Sequence, residues 1–289
     1  MRQGIVRTLA WEGTRQRVWE YPALDAGASP GATIVMVHGF RGDHHGLLRF
    51  VEELPRHRVL LPDLPGFGQG GELPGTHDVA TYARFITDVV LRLAPGPRVL
   101  LGHSFGSIIA AEAAAREPGL ADTLVLVNPI SAPALEGPSR LASRIAEGYY
   151  VAADRLPEAA GRALLANPVI VRGMSVFMAK TRDRALRRWI HGQHSAYFSS
   201  FASRRVVLEA FRASISGTVR DHARDLAMPV LLIAADQDDI GSVQSQRELA
   251  ALVPDATLAV LPDVGHLVHY EKPREAAQLI ETFLERAPA

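Results

Sequence analysis

Two residues in this chain have the types and the surroundings for nucleophilic chemistry: Ser104, in Gly102-His103-Ser104-Phe105-Gly106, and His266, which follows Leu261-Pro262-Asp263-Val264-Gly265. A serine hydroxyl is a weak nucleophile at its free pKa and needs a base beside it. An imidazole near neutral pKa can take that proton and later return it to a leaving group. The pentapeptide fits the G-x-S-x-G turn, with a short apolar strand before it and a helix-forming segment after it. Its glycines let a sharp turn approach neighbouring backbone. Such a turn exposes Ser104 Oγ at a sheet edge, close to a helix N-terminus that favours developing negative charge. The competing reading is a tight structural turn whose serine only caps the helix. His269 is a weaker candidate base, and the turn should direct the His103 side chain away from Ser104.

A base of this kind needs a carboxylate to orient it through Nδ1–H and to stabilise the imidazolium. The segment Leu232-Ile233-Ala234-Ala235-Asp236-Gln237-Asp238-Asp239 offers three, and chemistry alone leaves Asp236, Asp238 and Asp239 in competition. These carboxylates lack a convincing set of companion ligands, and the chain has no cysteine, so no metal and no cofactor are expected. The backbone N–H groups of Phe40, after His38-Gly39, and of Phe105 are candidates to stabilise an oxyanion. The two phenyl rings are as well suited to packing as to shaping an acyl pocket.

The elements that must position these groups follow from periodicity. Ile5–Trp11 and Arg15–Glu20, separated by Glu12-Gly13-Thr14, read as a hairpin, and residues 27–31 as a loop. Short apolar runs at Thr33–Val37, Arg58–Leu61, Arg98–Leu101, Thr123–Val127, Val230–Ala234 and Thr257–Leu261 have the length of buried strands. Helical spacing occupies Leu47–Leu54, Thr76–Leu93, Ser107–Arg116 and Pro273–Leu284. The alternation predicts an open, mostly parallel sheet with helices on both faces, its active loops at the carboxyl ends of the strands.

From Ile130 to Asp225 no buried strand is evident. Helical stretches around Arg140–Ala152, Pro157–Leu165, Val171–Phe177, Asp183–Tyr197 and Arg204–Ser214 predict an inserted helical cap. The expected organisation is therefore a core of residues 1–129 and 226–289 and a cap of residues 130–225. Tyr149, Phe177, Trp189 and Tyr197 are the cap residues expected to line a substrate pocket, although most cap aromatics should simply pack. Arg172, Arg187 or Arg188 would bind a carboxylate only by turning inward.

Composition sets the outer bounds. Hydrophobic residues make up 47% and charged residues 21%, as in a globular protein. Lysine plus arginine and aspartate plus glutamate both total 31, so no whole-chain attraction to nucleic acid or anionic membrane is expected. No integral membrane segment is evident, and a cytoplasmic setting is the simplest expectation. Oligomeric state is not legible.

On His38-Gly39-Phe40, Pro62-Asp63-Leu64-Pro65-Gly66-Phe67-Gly68, Gly102-His103-Ser104-Phe105-Gly106, the Asp236–Asp239 turn and Gly265-His266, the chain resembles the α/β-hydrolase superfamily over nearly its whole length, in its capped serine-hydrolase branch. The serine, acid, histidine order is that family's order. The resemblance implies Asp238 as the acid, since Ala235-Asp236-Gln237-Asp238 aligns best with a glycine-x-x-aspartate turn, with Ala235 where glycine is common. It favours Phe40 as an oxyanion donor, and Ser107 stands where a second glycine is frequent. It also implies hydrolysis of a small, largely apolar carboxylic ester through an acyl-serine. Carbon–carbon bond hydrolases and non-hydrolytic lyases share the architecture, as would a catalytically weak small-molecule sensor, so fold alone does not fix the reaction.

Overall fold

The computed structural model describes residues 2–24, 31–135 and 140–286. The loop expected at 27–31 falls, apart from Gly31, outside the described residues. One eight-stranded sheet organises the chain: β1 (Ile5–Trp11), β2 (Thr14–Tyr21), β3 (Thr33–Val37), β4 (Arg58–Pro62), β5 (Arg98–His103), β6 (Thr123–Val127), β7 (Val230–Ala235) and β8 (Ala256–Leu261). Their spatial order is β1-β2-β4-β3-β5-β6-β7-β8. The N-terminal hairpin joins antiparallel through β2 to β4, and every pairing from β4 to β8 is parallel. Parallel strands need crossovers, which the helices supply: α1 (Leu48–Glu53), α2 (Val79–Leu93) and α3 (Phe105–Arg116) between the earlier strands, α9 (Val243–Ala250) between β7 and β8. After β8 come α10 (Val268–Glu271) and α11 (Pro273–Leu284).

The period-2 geometry of a strand divides the core between the two sheet faces. Val35 and Val37 of β3 point with Leu60 and Leu100 toward Phe85, Ile86 and Ile109 of α2 and α3. Ile34 and Met36 point the other way, with Leu61 and Leu101, toward Phe50, Val51 and Ile280 of α1 and α11. Burying each such side chain is worth about 1.5–3 kcal/mol. The centre of the sheet is therefore a rigid platform for whatever stands at its carboxyl edge.

Between β6 and β7 the described residues form five α-helices, α4 (Arg140–Arg155), α5 (Glu158–Leu165), α6 (Pro168–Met178), α7 (Arg184–Tyr197) and α8 (Arg204–Ser216), an inserted helical cap. Helix α6 begins three residues before the expected Val171, because Asn167 accepts from the Val169 and Ile170 amides and Pro168 occupies the first turn. Helix α2 begins later than the expected Thr76, at its Asp78 cap, whose carboxylate accepts from Thr81 N. Helix α9, capped by Ser242, was not legible from periodicity. No helix among the described residues is long and apolar enough to cross a membrane.

Candidate active site

Ser104 occupies the single residue between β5 and α3, with φ 55° and ψ −123°. This is a region that L-residues adopt only when the surroundings enforce it, at a cost on the order of 1–3 kcal/mol. The enforcement is visible in the neighbours. A Cβ on Gly102 would lie 2.4 Å from the Gly106 carbonyl oxygen, and one on Gly106 would lie 2.3 Å from that of Val37. Ser104 N donates to Val127 O at 3.1 Å, tying the turn to β6. Ser107 Oγ donates to the Ser104 carbonyl at 2.5 Å and accepts from Ile130 N at 3.1 Å. The departure at position 107 thus adds a brace between the turn and the start of the insertion.

Ser104 Oγ lies 2.7 Å from His266 Nε2, and His266 Nδ1 lies 2.9 Å from Asp238 Oδ2. Of the three competing carboxylates only Asp238 meets the imidazole: Asp236 accepts from Val264 N, and Asp239 pairs with Lys180. Burial alone would raise the Asp238 carboxyl. The adjacent His266 and the Ile240 and Gly241 amides outweigh that penalty and hold its pKa below the ordinary carboxylate value. Two bridges fix the histidine loop relative to the sheet: Gln237 N donates to Val264 O at 3.0 Å, and Asn128 Nδ2 to Gly265 O at 3.1 Å.

His103 turns away from Ser104, as expected, and packs behind the histidine loop, its Nε2 3.2 Å from His266 O. Burial, reinforced by the neighbouring His266, pushes its pKa down to about 3, so the ring is neutral and its Nε2–H is the donor. His269 is buried against the His103 ring and is not the residue that meets Ser104.

At the end of β3, Gly39 approaches the Ser104 turn so closely that a Cβ there would stand 3.2 Å from Ser104 Cβ. The N–H groups of Phe40 and Phe105 have no hydrogen-bond partner among the described residues. The Phe105 ring is core, edge-on to Tyr82. The Phe40 ring is half-buried and meets Phe67, Tyr150 and Phe211, with centroids 6.3, 5.6 and 5.7 Å away.

Arg41 and Asp63, to which sequence reasoning gave no role, hold this loop. Arg41 is 1% exposed with φ 56°. Its guanidinium donates to Leu165 O at 2.8 Å and Phe198 O at 3.1 Å, the C-terminal ends of α5 and α7, and stacks on the Phe198 ring at 4.3 Å. Unsatisfied helix-end carbonyls are good sites for a cation. The Asp63 carboxylate, fully buried, accepts from His44 N and Nδ1 at 2.8 and 2.9 Å and from Gln69 N at 2.9 Å. Gly68 crowds that carboxylate, since a Cβ there would be 2.6 Å from Oδ2. The first of these partners is local in sequence for neither residue, so no pattern announced them.

The four expected pocket residues do not form one cluster. Tyr149 lies edge-on to Tyr150 and donates to Leu164 O. Tyr197 stacks on His45 at 3.8 Å. Trp189 meets Tyr270 and Arg49, and Phe177 is 58% exposed on the outer side of the cap. Arg172, Arg187 and Arg188 are exposed as well. The residues found against Phe40 are Phe67, Tyr150 and Phe211. Asp43, His44 and His45 place potential ligand atoms within 4.8 Å of one another. The rings of His44 and His45 are already engaged by Asp63 and Asp43, at 2.9 and 3.1 Å.

Known proteins share this architecture. The (E)-2-((N-methylformamido)methylene)succinate hydrolase of Acinetobacter baylyi is 20% identical over 264 residues, 89% of this chain and 92% of its own. Lipase LipV of Mycobacterium tuberculosis is 27% identical over 280 residues, 89% of this chain and 95% of its own. The crystal structure of the enol-lactonase from Burkholderia xenovorans LB400 superposes with a TM-score of 0.78 at 19% identity, covering 97% of this chain and all of that one. The model of the alpha/beta hydrolase fold family matches residues 32–273. The chain belongs to the α/β-hydrolase family.

Proposed function

We propose that the protein is a serine hydrolase that cleaves small, largely apolar carboxylic esters through an acyl-serine intermediate. The observation that carries this reading is the continuous relay from Ser104 Oγ through His266 to the buried Asp238 carboxylate, at 2.7 and 2.9 Å. His266 Nε2 removes the hydroxyl proton as Ser104 Oγ attacks the ester carbonyl carbon. Asp238 holds the tautomer that presents Nε2 as acceptor and stabilises the imidazolium that forms. The Phe40 and Phe105 amides donate to the oxygen as the carbon becomes tetrahedral. The imidazolium then gives its proton to the departing alkoxide, which leaves as an alcohol. Water attacks the acyl-serine, passes a proton through His266 back to Ser104, and the acid departs.

The half-buried Phe40 ring, backed by the buried rings of Phe67, Tyr150 and Phe211, favours an apolar acyl group over a strongly polar one. Tyr149 is the one residue of the expected pocket set beside this cluster; Phe177, Trp189 and Tyr197 belong to other parts of the cap. The partners in the reaction are the small-molecule ester and water, and the reading calls on no cofactor. A cytoplasmic setting belongs to the same proposal and is checked by fractionating cells that express the chain. A panel of esters of graded acyl size, followed by product mass, tests the reaction. Ser104→Ala should lower kcat by about 10⁶-fold with folding intact; undiminished hydrolysis by that variant would remove Ser104 from the mechanism.

A further inference from the structure

A surface helix ordinarily turns polar residues outward, and α6 departs from this. Its inward side holds Val171 and Ser175, while Val169, Arg172, Gly173 and Val176, spaced to share one helical face, point out with Phe177. Val169, Val176 and Phe177 are 78%, 56% and 58% exposed. Helix α7 packs beside α6 through Ser175 Oγ, which sits 2.6 Å from His191 Nδ1 and 2.7 Å from His194 Nδ1. Its exposed side carries Arg184, Arg187 and Arg188. Burial, and then the charges of Arg172 and Arg187, depress the pKa of His191.

Charge is segregated here although the chain as a whole is neutral. Residues 168–197 include six basic side chains and a single acidic one, Asp183, whose carboxylate is engaged in capping α7. Lys180 pairs with Asp239 and lies over the Phe177 ring. Among the described residues, Arg172, Arg182, Arg184 and Arg188 have no ion pair with a carboxylate, while Arg187 donates to the Thr181 carbonyl and acts on the Glu271 carboxyl through space. On the neighbouring helices Arg162 and Arg204 pair with Glu158, Arg205 with Glu72 and Arg212 with Glu147. An outward apolar stripe interleaved with unpaired arginines matches the chemistry of an interfacial helix: apolar side chains enter the headgroup–acyl boundary and guanidinium groups meet lipid phosphates.

We propose that the outer face of α6 and α7 docks the protein peripherally on an anionic lipid surface, with Val169, Val176 and Phe177 inserted and Arg172, Arg184, Arg187 and Arg188 on the phosphates. The apolar residues of this face are separated by arginine, which suits a fluid interface. The connection from α6 to α7 also lies on the histidine loop. A Cβ on Gly265 would meet Lys180 Cγ at 2.5 Å and Met178 O at 3.3 Å. On the reading of Ser104 as nucleophile, docking would therefore bring the site next to a reservoir of apolar esters. The docking itself does not depend on that reading.

Co-sedimentation of the full chain with vesicles of neutral phosphatidylcholine, and with vesicles containing about one-third phosphatidylglycerol, tests the proposal. Binding should be at least about tenfold stronger to the anionic vesicles and should fall as salt screens the charges. Replacing Arg184, Arg187 and Arg188 together by glutamine should weaken it by about 10²-fold, near fivefold per residue. The double substitution V176S/F177S should also weaken it, and circular dichroism should show these exposed variants folded. Ser104→Ala should bind as the unsubstituted chain does, so a failure of the hydrolase reading leaves this result standing. Absent or equal binding to both vesicle types overturns the proposal. Dimers in light scattering that V176S/F177S dissolves, without vesicle binding, would give the face to a second copy of the chain. Binding to polyglutamate but not to vesicles would give it to an acidic protein.

Discussion

At the scale of single residues, a buried carboxylate, Asp238, is stabilised as a charge by the imidazole it orients. Because His266 and two backbone amides hold the Asp238 pKa down against burial, the carboxylate stays ionised throughout the range in which a histidine works as a base. Asp238→Asn removes the charge and favours the wrong tautomer while preserving shape; kcat on a good ester should fall by about 10⁴-fold, with KM and the circular dichroism spectrum little changed. Retention of more than about a tenth of wild-type kcat would mean that another group orients His266. Ser104 and His266 were legible in the sequence because their requirements are local: a glycine-flanked turn and a loop after a strand. Asp238 was legible only through resemblance, since three carboxylates share one turn. Arg41 and Asp63 were not legible, because the former bonds to Leu165 and Phe198 and the latter to His44 and Gln69, contacts that the fold creates.

At the scale of elements, the nucleophile turn and the loop after β3 are two strained pieces braced against each other. Gly106→Ala would push a methyl against the carbonyl oxygens of Val37 and His38, at 2.3 and 2.7 Å, which are backbone and cannot rotate away. We expect about 1–3 kcal/mol of destabilisation in denaturant titration, together with loss of ester hydrolysis, because β3 and the turn must part to make room. The loop is held from the other side by Arg41, which links it to the ends of α5 and α7. Arg41→Gly keeps the left-handed backbone accessible and deletes only the link. It should reduce kcat about 10- to 10²-fold through misplacement of the Phe40 amide, a change that initial-rate kinetics would resolve; unchanged kcat would mean that the loop holds itself. The positions of strands and helices along the chain followed the periodicity closely. Helix starts were set instead by caps, Asn167-Pro168 for α6 and Asp78 for α2, and α9 has no legible apolar period because it buries only Ser245, Gln246 and Leu249.

At the scale of the whole molecule, several histidines are folded into the structure uncharged. Burial lowers His103 to about 3 and His194 to about 4, in each case with a neighbouring histidine adding to the effect. In the unfolded chain both would titrate near 6.5. Above that pH neither state binds a proton and the groups are neutral with respect to stability. Below it the unfolded chain takes up protons that the native protein refuses, so stability falls as pH drops from 6.5 toward 4, by about 1 kcal/mol per pH unit for each such group. Melting temperature measured across this range should fall with acidification, and His194→Gln should flatten the slope; a flat profile in the parent chain would contradict the burial of these rings as neutral species. The neutral rings of His103 and His194 thus make the fold one suited to neutral conditions. The most direct test of the central claim is intact-protein mass measurement after brief exposure to an activated ester or a fluorophosphonate, followed by peptide mapping. One covalent adduct should form, carried by the peptide containing Ser104, slowly in His266→Ala and not at all in Ser104→Ala. An adduct on any other residue, or an unmodified protein that still turns the ester over, would contradict it.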